Sequence, residues 1–314
     1  MPVPNYTAKE LSVLSTVIAR GARLRSWDSA LGVDGAALPV EEVQCMHMNG
    51  GLYIAGNHIE CESIRDFFRA FGATDHASFI KCLRYTYGLI TYPYARRAGD
   101  LGRGYEATFS GQDNRTFTFA GALVAQLMTP LTAAEIQEIN TAVTRTTLPP
   151  VPDRPLTWFL RKFVGAAAIA GLGRPALGAL NYATDYNGQR ELTIVNDRGG
   201  AHAELKLIRF MTSAVTSNTA FLGNQTVTVG GLKRACSFCN SWLGYYIAWV
   251  RIQYRIAVVL PDESCGIRAE GGGAGDRPTG AGEGSFGRYV QLLFNGLANN
   301  NCLDIAARVN DDAW

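Results

Sequence analysis

The chain has 314 residues, of which 47% are hydrophobic and 18% charged. That balance excludes a disordered polymer, and the length suffices for two domains that each bury a core. No run approaches the roughly 20 unbroken apolar residues of a membrane span, so no membrane partner is expected. The first residues, "MPVPNYTAKELSVLSTVIARG", lack the basic-then-apolar layout of a signal peptide. Synthesis in a cytoplasm is the expectation, with export by a specialised secretion system still open. Seven cysteines, scattered at 45, 61, 82, 236, 239, 265 and 302, form no disulfide framework.

The net charge of +2 is unevenly spread. Residues 154–256 carry twelve Lys and Arg against four Asp and Glu, a surplus of eight, which leaves −6 for the rest. A basic middle between acidic ends suits a polyanion such as DNA or RNA. Solvated surface charge without a partner fits the same numbers.

In chain order, "VQCMHM-NGG-LYIAGN" (43–57) reads as two strands around an Asn49-Gly50 hairpin turn. "ESIRDFFRAFG" (62–72) and "ASFIKCLRYTYG" (77–88) read as helices closed by glycine. "TAAEIQEINTAV" (132–143) opens with a capping box, Thr132 and Glu135. Four prolines in "LPPVPDRP" (148–155) can continue neither a helix nor a central strand. A domain boundary is therefore expected there, dividing a mixed, helix-rich module at 1–150 from a second domain at 151–314.

Beyond the boundary, "LTWFLRKFVGAAAIAG" (156–171) reads as a helix and "ALNYATDYNGQRELTIVND" (179–197) as two strands around a turn. Then come a helix in "AHAELKLIRFMTSAV", a strand in "NQTVTVGG", a helix in "ACSFCNSWLGYYIAWV" and a strand in "YRIAVVL". A glycine-rich loop (268–287), a helix and a last strand, "CLDIAARV", complete the chain. The order α-β-β-α-β-α-β-α-β predicts an α/β fold, a three-layer α-β-α sandwich.

Two short motifs carry the chemistry. His202 and Glu204 open one predicted helix behind Gly199-Gly200; Cys236 and Cys239 open another. Catalytic zinc takes three protein ligands and keeps one position for water. His202, Cys236 and Cys239 are such a set, because cysteines one helical turn apart can face one ion and a helix N-terminus favours thiolate. Glu204 is then a carboxylate beside the ion, suited to moving a proton. Seven cysteines give about 0.15 C-x-x-C pairs by chance, and four histidines with thirteen glutamates about 0.17 H-x-E. Singly, each motif fits a satisfied core histidine or small core cysteines; both together favour a metal site.

"HAE" followed by "CSFC" resembles the zinc signature of the cytidine deaminase superfamily, H-x-E then P-C-x-x-C. The likeness covers roughly residues 156–310, and "HAELKLI" behind an appended module is most similar to the deaminases of bacterial polymorphic toxins. Ala235 stands where the family usually has proline, a departure that removes no ligand. The resemblance implies a cytidine-deaminase-like sandwich, Zn2+ on His202, Cys236 and Cys239, and Glu204 as general acid/base. It further implies a cytosine in DNA or RNA as substrate, adenine second, and an immunity protein as partner.

Substrate contacts are expected from Asn196, Arg198, Lys233, Arg234 and Trp242. A turn-forming asparagine fits Asn196 as well, and Tyr245, Tyr246 and Trp249 beside Trp242 read as core. His47, His58 and Cys61 match no metal spacing. The rival functions are a free-nucleoside deaminase of metabolism, and a non-catalytic nucleic-acid-binding protein whose structural zinc would need a fourth ligand such as Cys265.

Overall fold

The computed structural model describes residues 3–30, 42–57, 60–71, 73–91, 180–196, 202–217, 225–231 and 237–260, with helical positions at 123, 126, 127 and 134. The expected elements at 156–171 and beyond residue 260 lie outside these. The chain divides into two compact units, one of Met1–Ser15, Glu41–Cys61 and Tyr182–Trp314, the other of Thr16–Val40 and Glu62–Asn181.

The first unit is built on a six-stranded mixed sheet. Its strands are β1 (Val43–Met48), β2 (Gly51–Gly56), β3 (Asn181–Ala183), β4 (Leu192–Val195), β5 (Thr226–Gly231) and β6 (Ala257–Val259), in the spatial order β3-β4-β2-β1-β5-β6. β1 and β2 form the expected hairpin. Asn49 (φ 48°) and Gly50 (φ 68°) both take the left-handed backbone that a tight two-residue turn needs. Every residue of both strands is buried, which requires neighbours on each side and cover on each face. Accordingly β2 pairs in parallel with β4, Ile54 opposite Ile194, and β1 pairs antiparallel with β5, Gln44 opposite Gly231. The sheet thus takes its central strands from before residues 148–155 and the others from after, so it spans the boundary expected there. Such an apolar hairpin cannot stay outside a core.

Side-chain alternation assigns the two faces. Met46, Met48, Tyr53, Ala55 and Val227 join one core with α4 (Ala203–Ser217) and α5 (Ser237–Tyr254). Tyr53 meets Phe210 of α4 at a ring separation of 4.9 Å, and the hydroxyls of Thr212 and Tyr246 are hydrogen-bonded at 3.0 Å, joining α4 to α5. On the other face lies the start of α1 (Ala8–Ala30). Thr7 and Glu10 form its capping box: Glu10 N–H donates to Thr7 Oγ1 at 3.2 Å, and Thr7 N–H to Glu10 Oε2 at 2.9 Å. Ser15 Oγ shares its hydrogen between Leu11 O at 2.8 Å and Gly230 O at 3.1 Å, which sets α1 against β5. β3 and β4 are adjacent, as expected of 179–197, but residues 184–191 join them in place of a tight turn. α/β is therefore the observed class.

In the second unit, α2 (Glu60–Phe71) and α3 (His76–Thr91) pair through Phe67, Phe68 and Phe79, with ring separations of 5.5 and 5.4 Å along that series. Asp75 caps α3, accepting from Ser78 N–H at 2.8 Å. α3 runs past Gly88 to Thr91, so this glycine does not end the helix.

A Cβ at Gly230 would overlap the carbonyl oxygen of Ala8 and approach Leu11 Cβ at 2.8 Å. Gly230→Ala must therefore push α1 off β5. We expect a loss of roughly 1–3 kcal/mol, the usual cost of overpacking, read as a lower thermal midpoint. An unchanged midpoint contradicts this seating of α1.

Candidate metal centre

The site forms where β2 and β4 end. They run parallel, and their register brings Asn196 level with Gly56, so both strands deliver the chain to the same end of the sheet. α4 starts there. The carbonyl of His202 accepts the first helical bond, from Lys206 N–H at 3.1 Å, which makes His202 the N-cap and Ala203 and Glu204 the first helical residues. Ala203 is the first helical residue, and an N-cap side chain reaches only the two N–H groups beyond it, so the orphan N–H of Ala203 needs a partner from elsewhere. Asn57, the residue after β2, supplies it: its Oδ1 accepts from Ala203 N–H at 2.9 Å across 146 residues of sequence.

Helix geometry then turns Glu204 inward, where it is 4% exposed. Cys239, third residue of α5, is fully buried. His202 remains half-buried. One donor atom from each of the three lies within 4.8 Å of the others, and Cys239 Sγ stands 3.4 Å from His202 Nδ1. A sulfur at 2.3 Å and a nitrogen at about 2.05 Å on one tetrahedral zinc would be about 3.6 Å apart. A bare thiol–imidazole contact has a similar length, so the donor set decides. Imidazole, thiol and carboxylate converge where two helices start, and together they could hold a metal ion. Full burial of Cys239 leaves no path for it to act alone as a nucleophile.

His202, Glu204 and Cys239 are thus brought together as expected. Cys236, the other expected ligand, directly precedes α5 in sequence but lies outside the described residues, as do Arg198, Lys233, Arg234 and Cys265. Asn196 is half-buried at the same end of the sheet, its N–H given to Ala183 O at 2.9 Å. Trp242 lies on α5 one turn beyond Cys239, and its side chain is outside the described set. His47 and Cys61 stand at opposite ends of the β1–β2 hairpin, His47 opposite Leu52 beside the turn and Cys61 bonded to Gly56. His47 and Cys61 make no metal site together, and His58 lies outside the described residues.

Sequence reasoning missed Asn57, its partner Glu42 and the buried Lys206. Lys206, 2% exposed, donates its Nζ to Gly56 O at 2.7 Å and approaches Cys61 Sγ at 3.5 Å. Arg209, equally buried, pairs with Asp185 and donates to Thr184 O at 3.3 Å. Two of the twelve cations of the basic stretch therefore face inward. Among the described residues no helix is long and apolar enough to cross a membrane.

No family model, curated protein or solved structure matches the chain.

The ion would link α4 to α5, so its loss should weaken the whole unit. Purified chain is expected to hold one zinc, and Cys239→Ala to lose it. Chelation should lower the thermal midpoint of the wild type and leave that of the variant unmoved. Folded wild type without zinc by elemental analysis contradicts the site.

Proposed function

We propose that the protein is a zinc-dependent hydrolytic deaminase of a nucleobase, with cytosine in DNA or RNA as substrate. The observation that carries this is the convergence of His202, Glu204 and Cys239 at the starts of two helices on one sheet. The element order gives further support. The first unit reads α1-β1-β2-β3-β4-α4-β5-α5-β6; apart from the added strands β3 and β4, this is the opening order expected of a deaminase sandwich. Its first hairpin is then 43–56, where the sequence suggested 179–197. The start of α1 on one face, with α4 and α5 on the other, suits three layers.

Zinc, when bound by His202, Cys239 and Cys236, supplies the Lewis acidity that makes water a nucleophile at neutral pH. Glu204 does the proton work. Its buried carboxylate accepts a proton from the attacking water and gives it to the ring nitrogen. A second transfer reaches the exocyclic amine, which leaves as ammonia and yields the keto base. The cavity touching Glu204 from the core side, between Met46, Leu207, Ile208, Met211 and Tyr246, measures about 20 Å³. That is room for one water and not for a base. On this reading the base enters from the side of half-buried His202, at the strand end that also carries Asn196.

A polynucleotide substrate fits the basic stretch, and "HAELKLI" supports a bacterial toxin restrained by an immunity protein. The inward placement of Lys206 and Arg209 favours a second reading, a free-nucleoside deaminase that needs no phosphate-facing surface.

Glu204→Gln keeps the shape and removes the base. It should retain zinc while deamination falls about 10²- to 10⁴-fold, the usual worth of a general acid–base group. A fully active variant contradicts the assignment.

Cytidine, single-stranded DNA, double-stranded DNA and RNA should be assayed side by side over a salt series. A polymer substrate predicts turnover at limiting concentration that falls steeply with salt, through counterion release. Salt-insensitive turnover of cytidine alone would select the second reading.

A further inference from the structure

We infer that Asn57 is a positioning residue of the metal centre: held by Glu42, it caps the motif helix from across the sheet and fixes where His202 stands. This rests on the metal-centre assignment above and concerns residues that the two motifs do not include.

The hydrogen bonds leave Asn57 one orientation. Its Oδ1 accepts from Ala203 N–H at 2.9 Å, and its Nδ2 donates to Glu42 Oε2 at 3.3 Å. A flipped amide would set donor against donor at Ala203 and acceptor against acceptor at Glu42. Glu42 is itself held. Its Oε1 accepts from Gln44 Nε2 at 2.7 Å, and its N–H donates to Glu60 Oε2 at 3.2 Å. The same Glu60 oxygen accepts from Asn57 N–H at 3.1 Å, while Glu60 N–H returns to Asn57 O at 2.8 Å. Glu42, Gln44 and Glu60 are 6%, 3% and 5% exposed, so water does not compete for these bonds and their geometry is stiff. Gly231 stands opposite Gln44, and a Cβ there would overlap the Gln44 amide. Bare backbone on β5 makes the space in which the chain of bonds lies.

The consequence for the metal is direct. His202 precedes the capped N–H by one residue, and its imidazole must come within 3.4 Å of Cys239 on a different helix. A helix start that frays carries its N-cap side chain with it. Outer groups that orient a metal ligand are typically worth about 10- to 100-fold in affinity or activity. Asn57 would act through backbone, one residue from the ligand.

The test uses the full chain as wild type, Asn57→Ala, the exchange variant Asn57→Asp/Glu42→Gln, and Ser15→Ala as a control for general stability. The exchange preserves the side-chain bonds named above and the net charge. The new carboxylate at 57 accepts from Ala203 N–H and from the new amide at 42, whose oxygen still accepts from Gln44. Zinc affinity is read by chelator competition and ligand geometry by the visible absorption of the cobalt-substituted protein. Hydrogen exchange at the Ala203 amide is read without metal.

Asn57→Ala should weaken zinc binding about 10- to 100-fold, shift the cobalt bands and expose the Ala203 amide. The exchange variant should recover all three. Ser15→Ala, which removes the bond to Gly230, should lower the thermal midpoint without moving the cobalt bands. The inference is overturned if Asn57→Ala loses thermal stability alone, or if the exchange variant is as impaired as Asn57→Ala. If wild type takes up neither metal, the metal-centre assignment fails instead. Protection of the Ala203 amide, lost in Asn57→Ala and regained in the exchange, still decides the cap.

Discussion

The first N–H of helix α4, at Ala203, lies beyond the reach of its own N-cap side chain and is met by Asn57 from the end of β2. An uncapped N–H at the edge of a core costs on the order of 1–3 kcal/mol if water cannot reach it. The acceptor comes from Asn57, which can stand there only because β2 is a central strand ending at that level. A fixed helix start is also what a metal site needs, since it sets the direction of His202 and the depth of Glu204. The same bond therefore satisfies the backbone and aims the donors.

The two-sided burial of the hairpin makes this possible. β1 and β2 present apolar side chains to both faces, so they accept α4 and α5 on one and the start of α1 on the other. Gly230 and Gly231 mark where that packing is tightest: one admits α1, the other admits Gln44. The contact between Thr212 and Tyr246 then sets α5 against α4, and Cys239 follows. Lys206 anchors α4 to the end of β2 by a second route, through Gly56 O. Two successive turns of the motif helix are thus tied to one strand end.

Local signals made part of this legible in advance. Asn49-Gly50 between apolar runs fixes a hairpin by backbone preference alone, and it is found where expected. H-x-E and C-x-x-C are dense enough in ligand chemistry that His202, Glu204 and Cys239 could be placed at helix starts. Distant pairings were not legible. Nothing local to 43–56 says that these strands adjoin β4 and β5, because the parallel partner of β2 lies some 140 residues away and proline punctuation at 148–155 suggested a division instead. Thr7 and Glu10 carry the same capping-box pattern in sequence as Thr132 and Glu135, and at Thr7 it opens α1. Asn57 carried the faintest mark, a polar residue closing an apolar strand. Its role depends on the orphan N–H of Ala203, 146 residues later. Lys206 and Arg209 read as surface charge in a count, whereas their long stems cross the core edge to carbonyl and carboxylate partners.

The proposed zinc site takes imidazole from the start of α4 and thiolate from the start of α5. X-ray absorption at the zinc edge of the purified, zinc-loaded chain tests it most directly, since bond lengths identify the donors without reference to activity. The account predicts sulfur scatterers at about 2.3 Å and a single imidazole nitrogen at roughly 2.0–2.1 Å, with light-atom ligands completing four. A shell of oxygen and nitrogen alone, with no sulfur, would contradict it.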